Sequence, residues 1–411
     1  MHVLYFHQHF STPSGSSGIR SYEMAQALLR EGHTVTMVCG SNSQSKTGLT
    51  RPFSKGKRRG TVNGIDVIEF ELKYDNSMSV FERIKVFLSF AIASVRVALK
   101  EPSDVVFATS TPLTAGIPSI IAKWVKRKPF VFEVRDLWPE LPRALGMKNP
   151  IALGLMSILE WASYRSADRL IGLSPGLVEG MVRSGISAKN IVMVPNGCDF
   201  NVFADPAEIW RPVGVGDDKM LAIFSGTHGL ANGLDAVLDA AAELKSRKRD
   251  DICFVLIGEG REKARLMKRA QDENLSSIVF LDAVPKTKLA GLLAGADIGL
   301  QILKDVPAFY YGTSPNKFFD YIAAGLPVLN NYPGWLAEMI VDNDCGFAVP
   351  SSNSAAFADA LIQASDDRSA LKKMGVRAQN LGKRQFSRDK LAKDWLACLV
   401  QALALNRNSK Q

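Results

Sequence analysis

Ser225-Gly226-Thr227-His228-Gly229, Ile257-Gly258-Glu259-Gly260-Arg261 and Gly312-Thr313-Ser314-Pro315-Asn316-Lys317 are the three stretches whose reading decides the fold. The first two close apolar, β-branched runs at residues 221–225 and 252–257, and the third opens a helical pattern over 316–324. Apolar runs that alternate with amphipathic segments predict a parallel sheet covered by crossover helices. In such a sheet the strand C-termini line the ligand crevice, so the three loops are expected to converge on one ligand. Glycine lets backbone approach a phosphate closely, and a helix start offers free amides at the positive end of its dipole. Gly258-Glu259-Gly260 alone says little, because it lacks the rest of G-x-G-x-x-G. The three together predict a phosphate-bearing ligand.

The same alternation extends in both directions. Further strands are expected at 278–281, 298–302, 328–330 and 347–349, with helices at 231–248, 261–273, 286–294 and 354–364. Upstream, strands are expected at 3–10, 34–39, 65–70, 105–108, 130–134, 169–173 and 191–194, with helices at 20–30, 82–100, 113–125, 151–166 and 175–184. Between the halves, residues 199–219 carry Pro206, Pro212, Gly214 and Gly216, which is linker composition. Leu391, Trp395, Leu399 and Leu403 then recur every four residues, the mark of a helix with one face to dock. The expected organisation is therefore α/β: doubly wound, Rossmann-like domains at 1–199 and 200–385 facing across a cleft, and a last helix at 386–411 returning to the first domain.

At 411 residues, 46% apolar and 22% charged, the chain suits a globular protein of two large domains. Its five cysteines are scattered with no C-x-x-C pair, which argues against a disulfide framework or zinc site and for a reducing, cytoplasmic setting. The start reads as a strand, without the charged n-region of an export signal. The longest apolar stretches are closed by Lys85, Arg96 and Lys123, well short of the roughly 20 residues of a membrane span. A net charge of +9 favours anionic partners: nucleic acid, membrane surface or phosphate-bearing substrate. The basic stretch 41–64 reads as a solvated loop in preference to a nucleic-acid arm, so no nucleic-acid partner is expected.

In the first half, Gly15-Ser16-Ser17-Gly18 follows a strand and precedes a helix, so Gly15 and Ser16 are candidate phosphate contacts. His7 and His9 have no third ligand nearby in sequence and are read as structural. Glu133-Val134-Arg135-Asp136 puts acids at the end of a buried strand, where they must be paired or functional. Asp342-Asn343-Asp344 is the one D-x-D, and its place before Cys345-Gly346-Phe347 makes it a turn, so no metal site is expected. Residues 81–100 and Lys123-Trp124-Val125-Lys126-Arg127-Lys128 combine basic and apolar side chains. They suit either a crossover helix or contact with an anionic membrane surface.

Phe224-Ser225-Gly226-Thr227-His228-Gly229-Leu230-Ala231-Asn232-Gly233, Ser314-Pro315-Asn316-Lys317-Phe318-Phe319-Asp320-Tyr321 and Cys345-Gly346-Phe347 resemble successive signatures of retaining glycosyltransferase family four, which has the GT-B fold. Gly32-His33-Thr34-Val35, Asp136-Leu137-Trp138-Pro139-Glu140, Leu173-Ser174 and Val194-Pro195-Asn196-Gly197 fall where that family has its N-domain markers. The Asp-Leu-Trp-Pro-Glu and Ser-Pro-Asn-Lys forms are similar to the WbuB-like bacterial group. That group builds surface polysaccharide, O-antigen or capsule, on a polyprenyl-diphosphate-linked saccharide and transfers N-acetylated amino sugars such as N-acetyl-L-fucosamine. The resemblance implies a UDP-sugar donor, no cofactor, no metal, and work on the cytoplasmic face of the membrane.

Residue by residue, the resemblance places the donor at Gly15, Ser16, Gly226, Thr227, His228, Asn232, Gly258, Arg261, Val284, Ser314, Asn316 and Asp320. Lys317 would stabilise the leaving diphosphate, with Arg261 as a second cation, and Asp136 would face the acceptor hydroxyl or the donor sugar. Asp320, three residues after Lys317, would share its helix face and meet the ribose hydroxyls, and Val284 would meet the base. Two cations common in the family are replaced by Thr227 and Asn232, and the first of its two acids by Gly312. Those replacements leave open a non-catalytic, nucleotide-sugar-binding or regulatory protein of the same fold. A phosphorylase or epimerase is less favoured, because no typical pyridoxal-lysine context is present.

Overall fold

Strands that are apolar on both faces need helices on both sides of their sheet, and this chain builds two such sheets. The computed structural model describes residues 1–15, 18–42, 46–75, 78–144 and 146–408. It divides into two compact units: Met1–Pro195 with Gly312–Ser314 and Asp389–Gln411, and Asn196–Tyr311 with Pro315–Arg388.

The first unit has strands β1 (His2–Phe6), β2 (Thr34–Gly40), β3 (Lys57–Val62), β4 (Ile65–Phe70), β5 (Val105–Thr109), β6 (Phe130–Val134), β7 (Arg169–Gly172) and β8 (Ile191–Met193). They lie in the order β3-β4-β2-β1-β5-β6-β7-β8, parallel except for β3 against β4. Its helices before the boundary are α1 (Arg20–Arg30), α2 (Val80–Lys100), α3 (Gly116–Lys126), α4 (Glu140–Ala144), α5 (Pro150–Ser166) and α6 (Pro175–Arg183). Val3 and Tyr5 of β1 pack with α1 on one side, and Leu4 and Phe6 pack with Phe90, Ala122 and Tyr164 on the other.

The last helix, α16 (Arg388–Asn408), joins the α1 side. Trp395 is fully buried there, 6.0 Å from the Tyr5 ring and 4.9 Å from Phe107.

The second unit has β9 (Met220–Ser225), β10 (Ile252–Ile257), β11 (Ile278–Leu281), β12 (Ile298–Gln301), β13 (Val328–Asn330) and β14 (Gly346–Ala348), ordered β11-β10-β9-β12-β13-β14 and all parallel. Its helices are α7 (Phe200–Phe203), α8 (Asp235–Ser246), α9 (Lys263–Asp272), α10 (Lys286–Gly295), α11 (Pro307–Tyr310), α12 (Asn316–Ala323), α13 (Trp335–Asp342), α14 (Ser354–Asp366) and α15 (Arg368–Gln385). Strand order reverses between β1 and β5 and again between β9 and β12, so each sheet has a switch point where a ligand can enter.

Three expectations need correcting. Residues 41–64 are not loop throughout, because β3 pairs with β4 through a two-residue Asn63-Gly64 turn with φ 48° and 83°. Residues 205–219 are not a free linker: the Trp210 indole donates to the Lys288 carbonyl at 2.9 Å, and Arg211 pairs with Asp297 at 2.9 Å. The compact-unit boundaries fall after Pro195 and Arg388, since the Cys198 amide donates to Phe386 O and Arg388 pairs with Asp199.

Helices α2, α3 and α5 lie side by side over one face of the first sheet and present apolar side chains outward. Phe81 (74% exposed) and Ile92 (65%) on α2, Trp124 on α3, and Ile151, Leu155, Ile158 and Trp161 (61%) on α5 are all exposed. The basic cluster beside them is partly engaged, with Lys123 paired to Asp168 and Lys126 and Lys128 donating to the Glu101 and Ser103 carbonyls. Among the described residues no helix is long and apolar enough to cross a membrane.

Trp395→Ala should cost about 3–5 kcal/mol, the usual loss for emptying a large aromatic site in a core, read as a lower urea midpoint. An unchanged midpoint would mean that α16 contributes nothing to the first unit's core.

Candidate functional site

At the C-terminal end of β9 the chain turns through Gly226, Thr227 and His228. Lys317, the second residue of α12, reaches this turn: a Cβ placed on Gly226 would meet Lys317 Cε at 3.3 Å. The ammonium donates to Asn232 Oδ1 at 2.8 Å and lies 4.2 Å from the Phe224 ring centroid. Asn232 in turn donates to the Thr227 carbonyl at 2.7 Å, which fixes its amide orientation. Among the described residues no carboxylate pairs with Lys317, and burial pushes its amine down to about 7.

The start of α12 adds to this field. Pro315 stands at the N-cap, and among the described residues no side chain caps the helix, so its first amides are left for another acceptor. An uncapped helix start and an unpaired lysine both gain from an anion. Tyr321, one turn further on, braces the site by accepting from the Ser225 amide at 2.8 Å.

The Gly258-Glu259-Gly260 loop packs directly on the Gly226 turn. A Cβ on Gly258 would meet Gly226 O at 1.9 Å, and the His228 amide donates to Glu259 O at 2.8 Å. These glycines therefore hold two loops together at the strand ends. His228 is fully buried between Phe224 and Phe280, and burial pushes its imidazole down to about 4, so it is neutral near pH 7.

The remaining candidates of this unit lie apart from Lys317 or at its margin. Arg261 is 69% exposed, with Glu262 at 3.5 Å. Asp320 does not share a partner set with Lys317: it is buried 3.6 Å from Lys286, and burial raises its carboxyl despite Lys286 and Arg388. Asn316 is exposed at the first position of α12, and Val284 is half-buried between β11 and α10. Ser314 is half-buried and groups with the first unit. Asp344 of the D-x-D lies in the turn after α13, paired with Arg377 at 2.8 Å.

In the first unit, Glu133 is fully buried and accepts four hydrogen bonds: from Arg20 Nε at 2.9 Å and Nη2 at 2.8 Å, Thr109 at 3.0 Å and Arg135 Nε at 3.1 Å. Burial alone would raise its carboxyl, but Arg20 and Arg135 more than offset that and hold it below the ordinary range. Arg135 thus serves Glu133, and Asp136 makes no hydrogen bond among the described residues. Burial raises the Asp136 carboxyl, with Arg135 opposing. His7 is buried beside Arg135 with its Nδ1 unpartnered, and burial lowers its imidazole well below the usual value. Gly15 closes a turn by donating to Thr12 O at 3.0 Å, and Ser16 lies outside the described residues.

Two family profiles match this chain, "Glycosyl transferase 4-like domain" over residues 15–197 and "Glycosyl transferases group 1" over 207–381. This protein is a GT-B glycosyltransferase. It is 22% identical over 338 residues to an Escherichia coli protein named as a colanic acid biosynthesis glycosyl transferase, WcaI, covering 79% of this chain and 82% of that one. Its fold matches sucrose-phosphate synthase from Thermosynechococcus elongatus with a TM-score of 0.77 at 16% identity, covering 98% and 99% of the two chains. It also matches Anabaena HepE, solved in complex with UDP, with a TM-score of 0.69 at 17% identity over 98% and 100%.

Sequence reasoning about this glycosyltransferase missed Arg20 as the partner of Glu133, and it missed Asn232 as the residue that holds Lys317. Neither has a local signal, since the partners are 113 and 85 residues apart.

Lys317→Met should stabilise the unliganded protein most at acid pH. The folded amine titrates near 7 and the unfolded one near 10.5. The cost of burying the charge is therefore full below pH 7 and fades as pH rises toward 10.5. Thermal unfolding at pH 6.5 and pH 10 reads the difference, and a pH-independent effect of the substitution would contradict the assigned titration.

Proposed function

We propose that this glycosyltransferase moves a sugar from a UDP-linked donor to a lipid-linked saccharide during bacterial surface polysaccharide synthesis, with retention of anomeric configuration. The observation that carries the reading is Lys317: a desolvated lysine with no carboxylate partner among the described residues, beside uncapped helix amides, at the switch point of the second sheet. Such a site suits a diphosphate, whose negative charge grows as the sugar departs. Support for UDP comes from HepE, and support for polysaccharide synthesis from the name of WcaI.

In the proposed chemistry the acceptor oxygen bonds to the anomeric carbon on the face the diphosphate leaves, and the acceptor proton passes to a diphosphate oxygen. Lys317 and the first amides of α12 stabilise the departing charge. The sugar is an N-acetylated amino sugar such as N-acetyl-L-fucosamine, by resemblance to the WbuB-like group. Asp136, without a hydrogen-bond partner, is available to the acceptor hydroxyl or the sugar. The acceptor is a polyprenyl-diphosphate-linked saccharide, and the exposed apolar face of α2, α3 and α5 would rest on the anionic inner leaflet that carries it. The enzyme would then be cytoplasmic and peripheral to the membrane.

Lys317→Ala should lower turnover by at least ~100-fold, the usual loss for one preorganised transition-state donor. Transfer from a panel of UDP-sugars to a lipid-linked acceptor measures it. Near-normal turnover in the variant would remove Lys317 from the mechanism, and donor binding without transfer or hydrolysis by the wild type would favour the non-catalytic reading. Activity should survive EDTA, since Lys317 and helix amides meet the diphosphate. Loss in chelator that manganese restores would overturn metal independence.

A further inference from the structure

A groove of about 860 Å³ opens between the β3–β4 hairpin and α2, at the far edge of the first sheet from β8. Seven of its lining residues are cations and one, Glu101, is an acid. Arg58 is neutralised by buried Glu69 at 2.8 Å, and Arg59 by Asp66 at 2.6 Å and Glu101 at 2.9 Å. The other five, Arg51, Lys55, Lys57, Arg96 and Lys100, make no ion pair among the described residues. The floor is apolar, with Ile68, Phe70 and Val97.

Cations on an edge strand such as β3 also deter pairing with other sheets. That role explains Lys57, but not Arg96 and Lys100, which come from a helix and close an apolar floor. Along α2 the exposed apolar positions Phe81, Ile84, Leu88 and Ile92 run at helical spacing straight into Arg96 and Lys100. One helix face therefore passes from a surface suited to acyl chains to a concave cationic site. A second copy of this chain would bring like charges together, whereas an anionic bilayer meets both features.

We infer that this groove binds the phosphate headgroup of an anionic lipid, with the apolar floor taking the glycerol and the first acyl carbons. The inference rests on the membrane reading above only for the source of the phosphate. Each cation brought to an anionic surface is worth about a fivefold gain in partition.

The test is flotation of the full chain with phosphatidylcholine vesicles, with or without phosphatidylglycerol. Lys55→Glu/Arg96→Glu/Lys100→Glu should lose at least about tenfold of the binding to phosphatidylglycerol vesicles. Lys85→Glu/Lys148→Glu/Arg165→Glu, the same charge change at exposed sites outside the groove, should lose clearly less. The milder Lys55→Gln/Arg96→Gln guards against misfolding and should give an intermediate loss. Equal losses in the two triple variants would assign the binding to diffuse charge and overturn the groove. Binding of inorganic pyrophosphate at the groove with no preference for phosphatidylglycerol would make the source a soluble anion and overturn the lipid assignment. Failure to float with either vesicle would reject the membrane reading, and the lipid-headgroup assignment with it, while leaving transfer activity to be judged separately.

Discussion

The Glu133 carboxylate, buried with four donors around it, is the constraint on which the first unit's site depends. An unpaired carboxylate at that depth would be too costly to keep ionised, so its partners must arrive in fixed places. Arg20 comes from the start of α1, Thr109 from the end of β5 and Arg135 from the turn after β6. Arg20 extends the network further by donating to the Val194 carbonyl at 2.8 Å and the Pro195 carbonyl at 2.6 Å. One carboxylate thus ties together the glycine-containing entry to α1, two strand ends and the exit from β8. Losing a single partner of such a pair typically costs about 3–5 kcal/mol, because the remaining charge stays buried.

The second unit solves the opposite problem. Among the described residues Lys317 has no acid to neutralise it, and it is held instead by the Asn232 amide and the Phe224 ring. A neutral hydrogen-bond acceptor fixes the position of Lys317 without spending its charge, which stays available to an anion. Asn232 in this pair is the neutral partner and Lys317 the charged one. The positive group comes from α12 and the oxygen that orients it from the loop after β9.

Most of the alternation in this chain was legible, because strands covered on both faces read as unbroken apolar runs and their helices as amphipathic segments. The β3 strand was not. Lys57-Arg58-Arg59-Gly60-Thr61-Val62 is an edge strand with no apolar face, and the one available signal, Asn63-Gly64 before an apolar run, sat inside a stretch dominated by charge. The glycine loops of the second half were readable as neighbours at strand ends, but their mutual packing was not, since it depends on the register of β9 against β10. Whether α2 faced the sheet or the outside could not be read from spacing, because it is apolar on both faces and the structure uses each differently.

Trp395 has a consequence for how the chain is made. It packs against Tyr5 and Phe107, so the first unit's core contains a side chain made long after the strands it covers. Translation at roughly 5–20 residues per second puts tens of seconds between the emergence of β5 and that of α16. During that interval the aromatic side chains of β1 and β5 lack their cover, while the second unit can complete almost all of its own core. The first unit's core can therefore close fully only once α16 has emerged, after all the strands of the second unit have been made.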